Sequence, residues 1–175
     1  MNIKDLNETE FAPYQAPYLM LVDDTWSLTE ELEVSLHNFI RFVQDIPMEK
    51  HDYRYAEGKW TIKDIIQHVI DAERVFAYRA LRFARNDSTE LPGYDENHFA
   101  ATVNANNRHL KDLLTELSAV RHATLLLFKS FTTEELLRKG MASGYAMSVR
   151  ALGFCIIGHQ NHHMKIFRER YLGEV

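Results

Sequence analysis

The stretch TIKDIIQHVIDAERVFAYRALRFAR, residues 61–85, decides the fold. It opens as a capping box, Thr61-Ile-Lys-Asp64, in which a hydroxyl caps a free amide and the acid three residues on reaches back. Ile62, Ile65, Val69, Ala72, Val75 and Phe76 then recur at helical spacing. The same grammar recurs outward in both directions. Ser27-Leu-Thr-Glu30 opens a helix carrying Leu28, Leu32, Leu36, Phe39, Ile40 and Val43, and Pro47 ends it. Asn86-Asp-Ser88 and Pro92-Gly93 mark a loop. Residues 95–131 read as a short helical piece and then a long one, faced by Leu110, Leu113, Leu114, Leu117, Val120, Thr124 and Leu127. Thr132-Thr-Glu-Glu135 starts a short helix that Gly140 stops, and Met141 to Met147 reads as a loop. Ser148 caps a last helix with Leu152, Ile156, His159, His163, Ile166 and Arg170 on one side, and Gly173 is its stop. Residues 1–24 are irregular, with Pro13 and Pro17 interrupting helix and Tyr14 and Tyr18 lying against the body. Four long amphipathic helices and no strand predict one all-α domain over residues 1–175. It is a four-helix bundle with a long connection between its second and third helices.

Composition narrows the function. The chain has 175 residues, 46% hydrophobic and 26% charged, with a formal net charge of −5. That balance disfavours nucleic acid and anionic membranes as partners. One cysteine excludes an intrachain disulfide and any cysteine-rich metal cluster held by a single chain. The start, MNIKDLNETE, lacks the basic-then-apolar order of a secretory leader, and no apolar run is long enough to span a bilayer. The expected location is the cytoplasm.

Nine histidines are the compositional oddity. His159 and His163 stand four apart on the apolar side of the last helix, where two imidazoles can hold one ion. His68 aligns with Ile65, Ala72 and Val75, near the inner face of its own helix. Three imidazoles without a fourth protein ligand form the pattern of an open, catalytic metal site. The competing reading is three hydrogen-bonded core histidines. His162 points about 100° away from His163, and the stripe favours His163. His37, His51, His98, His109 and His122 share no spacing and read as surface or cap residues. Cys155 would extend the ladder to a third turn, but three turns of straight helix span about 12 Å, too far for one ion. Cys155 is therefore expected to be a small buried apolar residue.

Two motifs resemble one family. Trp60-Thr-Ile-Lys-Asp-Ile-Ile-Gln-His68, continuing through Asp71, Glu73, Arg74 and Tyr78-Arg79, looks like the second helix of the DinB/YfiT-like superfamily. Gly158-His159-Gln-Asn-His162-His163, followed by Arg168-Glu-Arg-Tyr171-Leu172, looks like its last helix. The resemblance runs from Leu28 to Leu172. It implies a four-helix bundle with a divalent metal, zinc or nickel, held by three histidines at the positions of His68, His159 and His163. It also implies a homodimer and a small-molecule substrate. Some members of the family look like transferases that join a low-molecular-weight thiol to an electrophile, others like isomerases acting with thiols, and many like metal-dependent hydrolases.

Both chemistries use the same ligands. A coordinating metal deprotonates a thiol outright, and it brings the pKa of a coordinated water toward ~7. With no usable cysteine in the chain, a thiol must come from outside as co-substrate. The resemblance tips the expectation toward thiol transfer, with hydrolysis as the alternative and a non-catalytic metal-binding or small-molecule-binding bundle as the second alternative. Asp71, three residues after His68, is a candidate general base or orienting group, against a simple pairing with Arg74. Asp64 is expected to serve the helix start instead. Arg79 is a candidate for a substrate carboxylate or phosphate, and Trp60 and Tyr78 are candidates for the pocket lining.

Overall fold

In the computed structural model, which describes residues 1–174, four long helices form the body of the protein. They are α2 (Leu28–Gln44), α3 (Ile62–Ala84), α5 (Leu110–Lys129) and α7 (Val149–Ile166). Shorter helices are α1 (Ala16–Leu19), α4 (Glu96–Thr102) and α6 (Thr133–Leu137). The expected caps are made. The Asp64 amide donates to Thr61 Oγ1 and the Thr61 amide to Asp64 Oδ2, both at 3.0 Å. The Ser27 amide donates to Glu30 Oε2 at 2.9 Å, and the Ala151 amide to Ser148 Oγ at 3.1 Å. The last helix continues through a wider-wound stretch, Phe167–Leu172, and stops at Gly173, whose φ is 69°.

Two of the three chain-consecutive pairs of long helices are not neighbours. α3 packs on α5 and α7, and so does α2. The pairs α2 with α3 and α5 with α7 therefore lie across the diagonals of the bundle. The connection expected to be long, between the second and third long helices, is residues 85–109, and it joins two adjacent helices, α3 and α5. The segments that cross a diagonal are 45–61 and 130–148.

The predicted loop at Met141 to Met147 is instead a hairpin. β1 (Lys139–Ala142) pairs antiparallel with β2 (Tyr145–Ser148), in the register Lys139 to Ser148 and Ala142 to Tyr145. Its two-residue turn, Ser143 and Gly144, has φ of 54° and 78°, the mirror-image turn whose twist suits paired strands. A Ser-Gly turn between such short strands carries too little pattern to be read from the sequence. Leu91 bridges to Ala142, so the hairpin ties down the segment between α3 and α4.

Two apolar clusters fill the bundle. Leu32, Phe83, Phe128 and Phe154 belong to one, and Phe39, Ile66, Leu113 and Phe167 to the other. Burial of each such side chain contributes about 1.5–3 kcal/mol. Between them, at matching heights on the four helices, lies a layer of buried polar groups. Residues 1–24 form short helical turns that wrap the body, and α1 lies across α7. Gly158 permits that approach: a Cβ there would run into the backbone carbonyl of Tyr18.

Candidate metal centre

α3 and α7 pack face to face, and their facing stripes carry the histidines. His68, His159 and His163 are 6%, 4% and 7% exposed. His68 Nε2 lies 2.9 Å from His159 Nε2, and His163 Nε2 lies 3.1 Å from it. One nitrogen from each of the three lies within 4.8 Å of the others. Metal–nitrogen bonds of about 2.0–2.1 Å require ligand nitrogens about 2.9–3.4 Å apart; both separations to His159 meet this, and the three nitrogens are close enough together to hold one divalent ion. Burial pushes the His68 imidazolium pKa down to about 4. His159 and His163 are held well below the usual range, first by burial and then by the neighbouring imidazoles. All three rings are thus neutral at pH 7, the form in which imidazole offers a lone pair. His163 Nδ1 is buried with no hydrogen-bond partner in the protein.

Aromatic rings surround the triad. The Trp60 indole sits 4.9 Å from the His68 ring, and its backbone carbonyl accepts a 2.5 Å hydrogen bond from the Tyr171 hydroxyl. Tyr18 meets the His159 ring edge-on at 5.5 Å and Phe76 meets it at 6.1 Å. His162 is only partly buried and packs against Tyr18 at 5.0 Å. His159 lines a cavity of about 310 Å³, together with Tyr18, Phe76, Arg79, Tyr94 and Glu96. α1 thus forms part of the wall of this cavity.

The other residues singled out in the sequence fall in different places. Arg79 is buried on the cavity wall. Trp60 is beside His68 and borders a separate depression with Asp64 and Asn106. Asp71 accepts from Gln67 Nε2 at 3.0 Å and lies 3.5 Å from Arg74, and burial raises its carboxyl pKa. Tyr78 is 51% exposed and lines the outer groove between α3 and α5 with Leu81 and Leu127, away from the histidine cavity. It lies one residue before Arg79, so the helical turn swings it about 100° off the inner face. Asp64 caps α3 as expected and also accepts from Asn106 Nδ2 at 3.0 Å. Cys155 is 1% exposed, and burial drives its thiol pKa up. Tyr94 and Ser143, on the cavity wall, come from segments without helical periodicity, and Glu96 opens the short α4; nothing in their local sequence announces them as cavity residues.

A second polar constellation was also missed. Arg121 is 1% exposed and uses all five of its N–H groups. Nε and Nη2 donate to Glu73 at 2.9 Å each, Nη1 to the Leu32 carbonyl at 2.9 Å and Ser35 Oγ at 3.0 Å, and Nη2 to Gln160 Oε1 at 2.9 Å. A signal existed: Arg121, Glu73 and Gln160 each stand four residues after an apolar stripe residue, Leu117, Val69 and Ile156.

A helical bundle with crossed connections and three convergent imidazoles defines a class of metal-site bundle proteins. The chain belongs to the DinB superfamily, whose model matches residues 31–167. A protein of Oceanobacillus iheyensis named "Putative metal-dependent hydrolase" is 21% identical over 152 residues, 86% of this chain and 87% of its own length. A Bacillus cereus protein of the same description is 29% identical over 59 residues, 34% of this chain and 33% of its own. Among solved structures, YfiT from Bacillus subtilis, described as a probable metal-dependent hydrolase with an unusual four-helix bundle topology, superposes with a TM-score of 0.68. It is 17% identical, and the match covers 95% of each chain. No helix among the described residues is long and apolar enough to cross a membrane.

Proposed function

We propose that this protein is a metal-dependent hydrolase of a small molecule, with His68, His159 and His163 as the ligands of one divalent ion. The observation that carries the reading is the convergence of three neutral, buried imidazole nitrogens beside a 310 Å³ cavity. The descriptions of the relatives support the same chemistry. When bound, a divalent ion supplies Lewis acidity that lowers the pKa of a small acid held beside it. The residues of the chain do the rest. α3 and α7 hold the imidazoles at fixed separation, Phe76 and Tyr18 exclude bulk water from His159, and Trp60 covers His68.

Transfer of an external thiol is the second reading. The chain's cysteine is sealed in the core, so a thiol substrate has no internal competitor, and the cavity has room for a small reactant. Metal analysis of the wild type and His159→Ala tests the site: about one ion per chain should fall to near zero. Equal metal in both proteins would overturn it. The zinc- or nickel-loaded protein should then hydrolyse model esters or amides in thiol-free buffer. Electrophile consumption that requires added thiol would select the transferase instead, and silence in both assays with metal bound would select a binding bundle.

A further inference from the structure

Three arginines are buried among the described residues, and one of them differs from the others. Arg121 holds Glu73 through two hydrogen bonds. Arg150 holds Glu10 the same way, at 2.8 and 2.6 Å. Arg79 is as buried, at 3% exposure, yet no carboxylate of the described residues lies within ion-pair distance of it. Its Nη2 donates to the Pro92 carbonyl at 3.0 Å and to Ser143 Oγ at 2.9 Å, two neutral acceptors. Its Nε and Nη1 have no acceptor in the described protein.

A guanidinium out of water is strongly disfavoured unless an anion compensates it. Arg79 is also held in place with some care. Ser143 sits at the hairpin turn with φ of 54°, and its amide donates to the Leu91 carbonyl at 3.0 Å. The cavity that Arg79 lines is the one that reaches His159. On the same wall, the buried hydroxyl of Tyr94 stands beside the Glu96 carboxyl but makes no hydrogen bond of good geometry to it. Glu96 also lines the cavity, outside ion-pair distance of Arg79; burial raises its carboxyl pKa, and the Arg79 charge and the Tyr94 hydroxyl oppose that rise.

We propose that the substrate carries an oxyanion, a carboxylate or a phosphate, that Arg79 binds through its free N–H groups while the rest of the molecule extends toward His159. The aromatic side chains of Tyr18 and Phe76 favour a compact apolar body behind the charged group. This inference rests on the histidine triad as the reactive centre.

The experiment is calorimetric titration with benzoate, phenyl phosphate and the neutral benzamide, on zinc-loaded protein and after chelation. Wild type should bind at least one of the oxyanions about tenfold or more tightly than benzamide, and the preference should survive chelation, because Arg79 and not the metal confers it. Arg79→Met should abolish the preference while leaving the metal content unchanged. Should Arg79→Met fold poorly, Ser143→Ala, which removes one Arg79 partner, should weaken it. The stronger of benzoate and phenyl phosphate tells a carboxylate from a phosphate substrate. Equal binding of benzamide and both oxyanions, no binding of either oxyanion, a preference lost on chelation, or one that persists in Arg79→Met would each overturn the proposal. Absence of zinc from wild type with the oxyanion preference intact would instead defeat the metal reading alone.

Discussion

His159 and Gln160 are consecutive residues of α7, yet they belong to two polar regions built on opposite terms. Gln160 faces the Arg121 layer, where five N–H groups meet five acceptors and Gln160 Nε2 itself donates to the Ser35 carbonyl at 2.9 Å. His159 faces two imidazoles whose nitrogens point at its own, with Arg79 further along the cavity without a carboxylate in ion-pair contact. A buried polar network that satisfies itself rigidifies the core and leaves nothing for a ligand. A cluster that lacks internal partners awaits one. Burial alone does not separate the two regions; the count of satisfied donors does.

The comparison breaks most directly at the arginines. Arg121→Met leaves Glu73 buried without its cation and should cost about 3–5 kcal/mol in urea denaturation, whereas Arg79→Met should stay within about 1 kcal/mol of wild type. Equal losses would mean that Arg79 is as structural as Arg121. Next in size, Gly158→Ala forces the Tyr18 backbone off α7 and should destabilise by about 1–3 kcal/mol. An unchanged denaturation midpoint would show that α1 is not seated against α7 as described.

The smallest effect sharpens the contrast. Glu31, near the Arg121 layer, is 5% exposed, and its Oε2 has no hydrogen-bond partner. Burial, helped by the Asp23 charge and opposed by Arg121, lifts its carboxyl from 4.5 to about 7. The folded protein therefore holds this proton more tightly than the unfolded chain. The stability that comes from this group is full below about 4.5 and is lost as pH rises through about 7. Glu31→Gln should remove that dependence and be more stable than wild type at pH 8 by about 1–2 kcal/mol, with the difference shrinking toward pH 5. A difference between the two proteins that does not change with pH would contradict the shift.

Much of this architecture is local and was legible. The capping boxes at Ser27, Thr61 and Thr132, the stop at Gly173 and the apolar stripes depend on residues within a turn or two of each other. So do the inward direction of His159 and His163 and the exclusion of Cys155 as a third ligand, because a single helix sets their common side and puts Cys155 too far along it. Four stripes mean a bundle whatever the order of the helices.

Which stripe meets which depends on volumes matched across interfaces and on the path of the connecting segments, and no periodicity encodes either. The diagonal placement of α2 and α3, the hairpin at residues 139–148 and the meeting of His68 with His159 were decided at that level. The same holds for Arg121, whose charge on an apolar stripe makes sense only once Glu73 and Gln160 arrive from two other helices to compensate it. The wall of the cavity is assembled from α1, α3, α7, the hairpin turn and the segment before α4, so it exists only in the folded chain. Sequence thus determined the faces and one helix's pair of imidazoles. Tertiary packing decided the rest, because bringing distant polar groups out of water together is a property of the whole core.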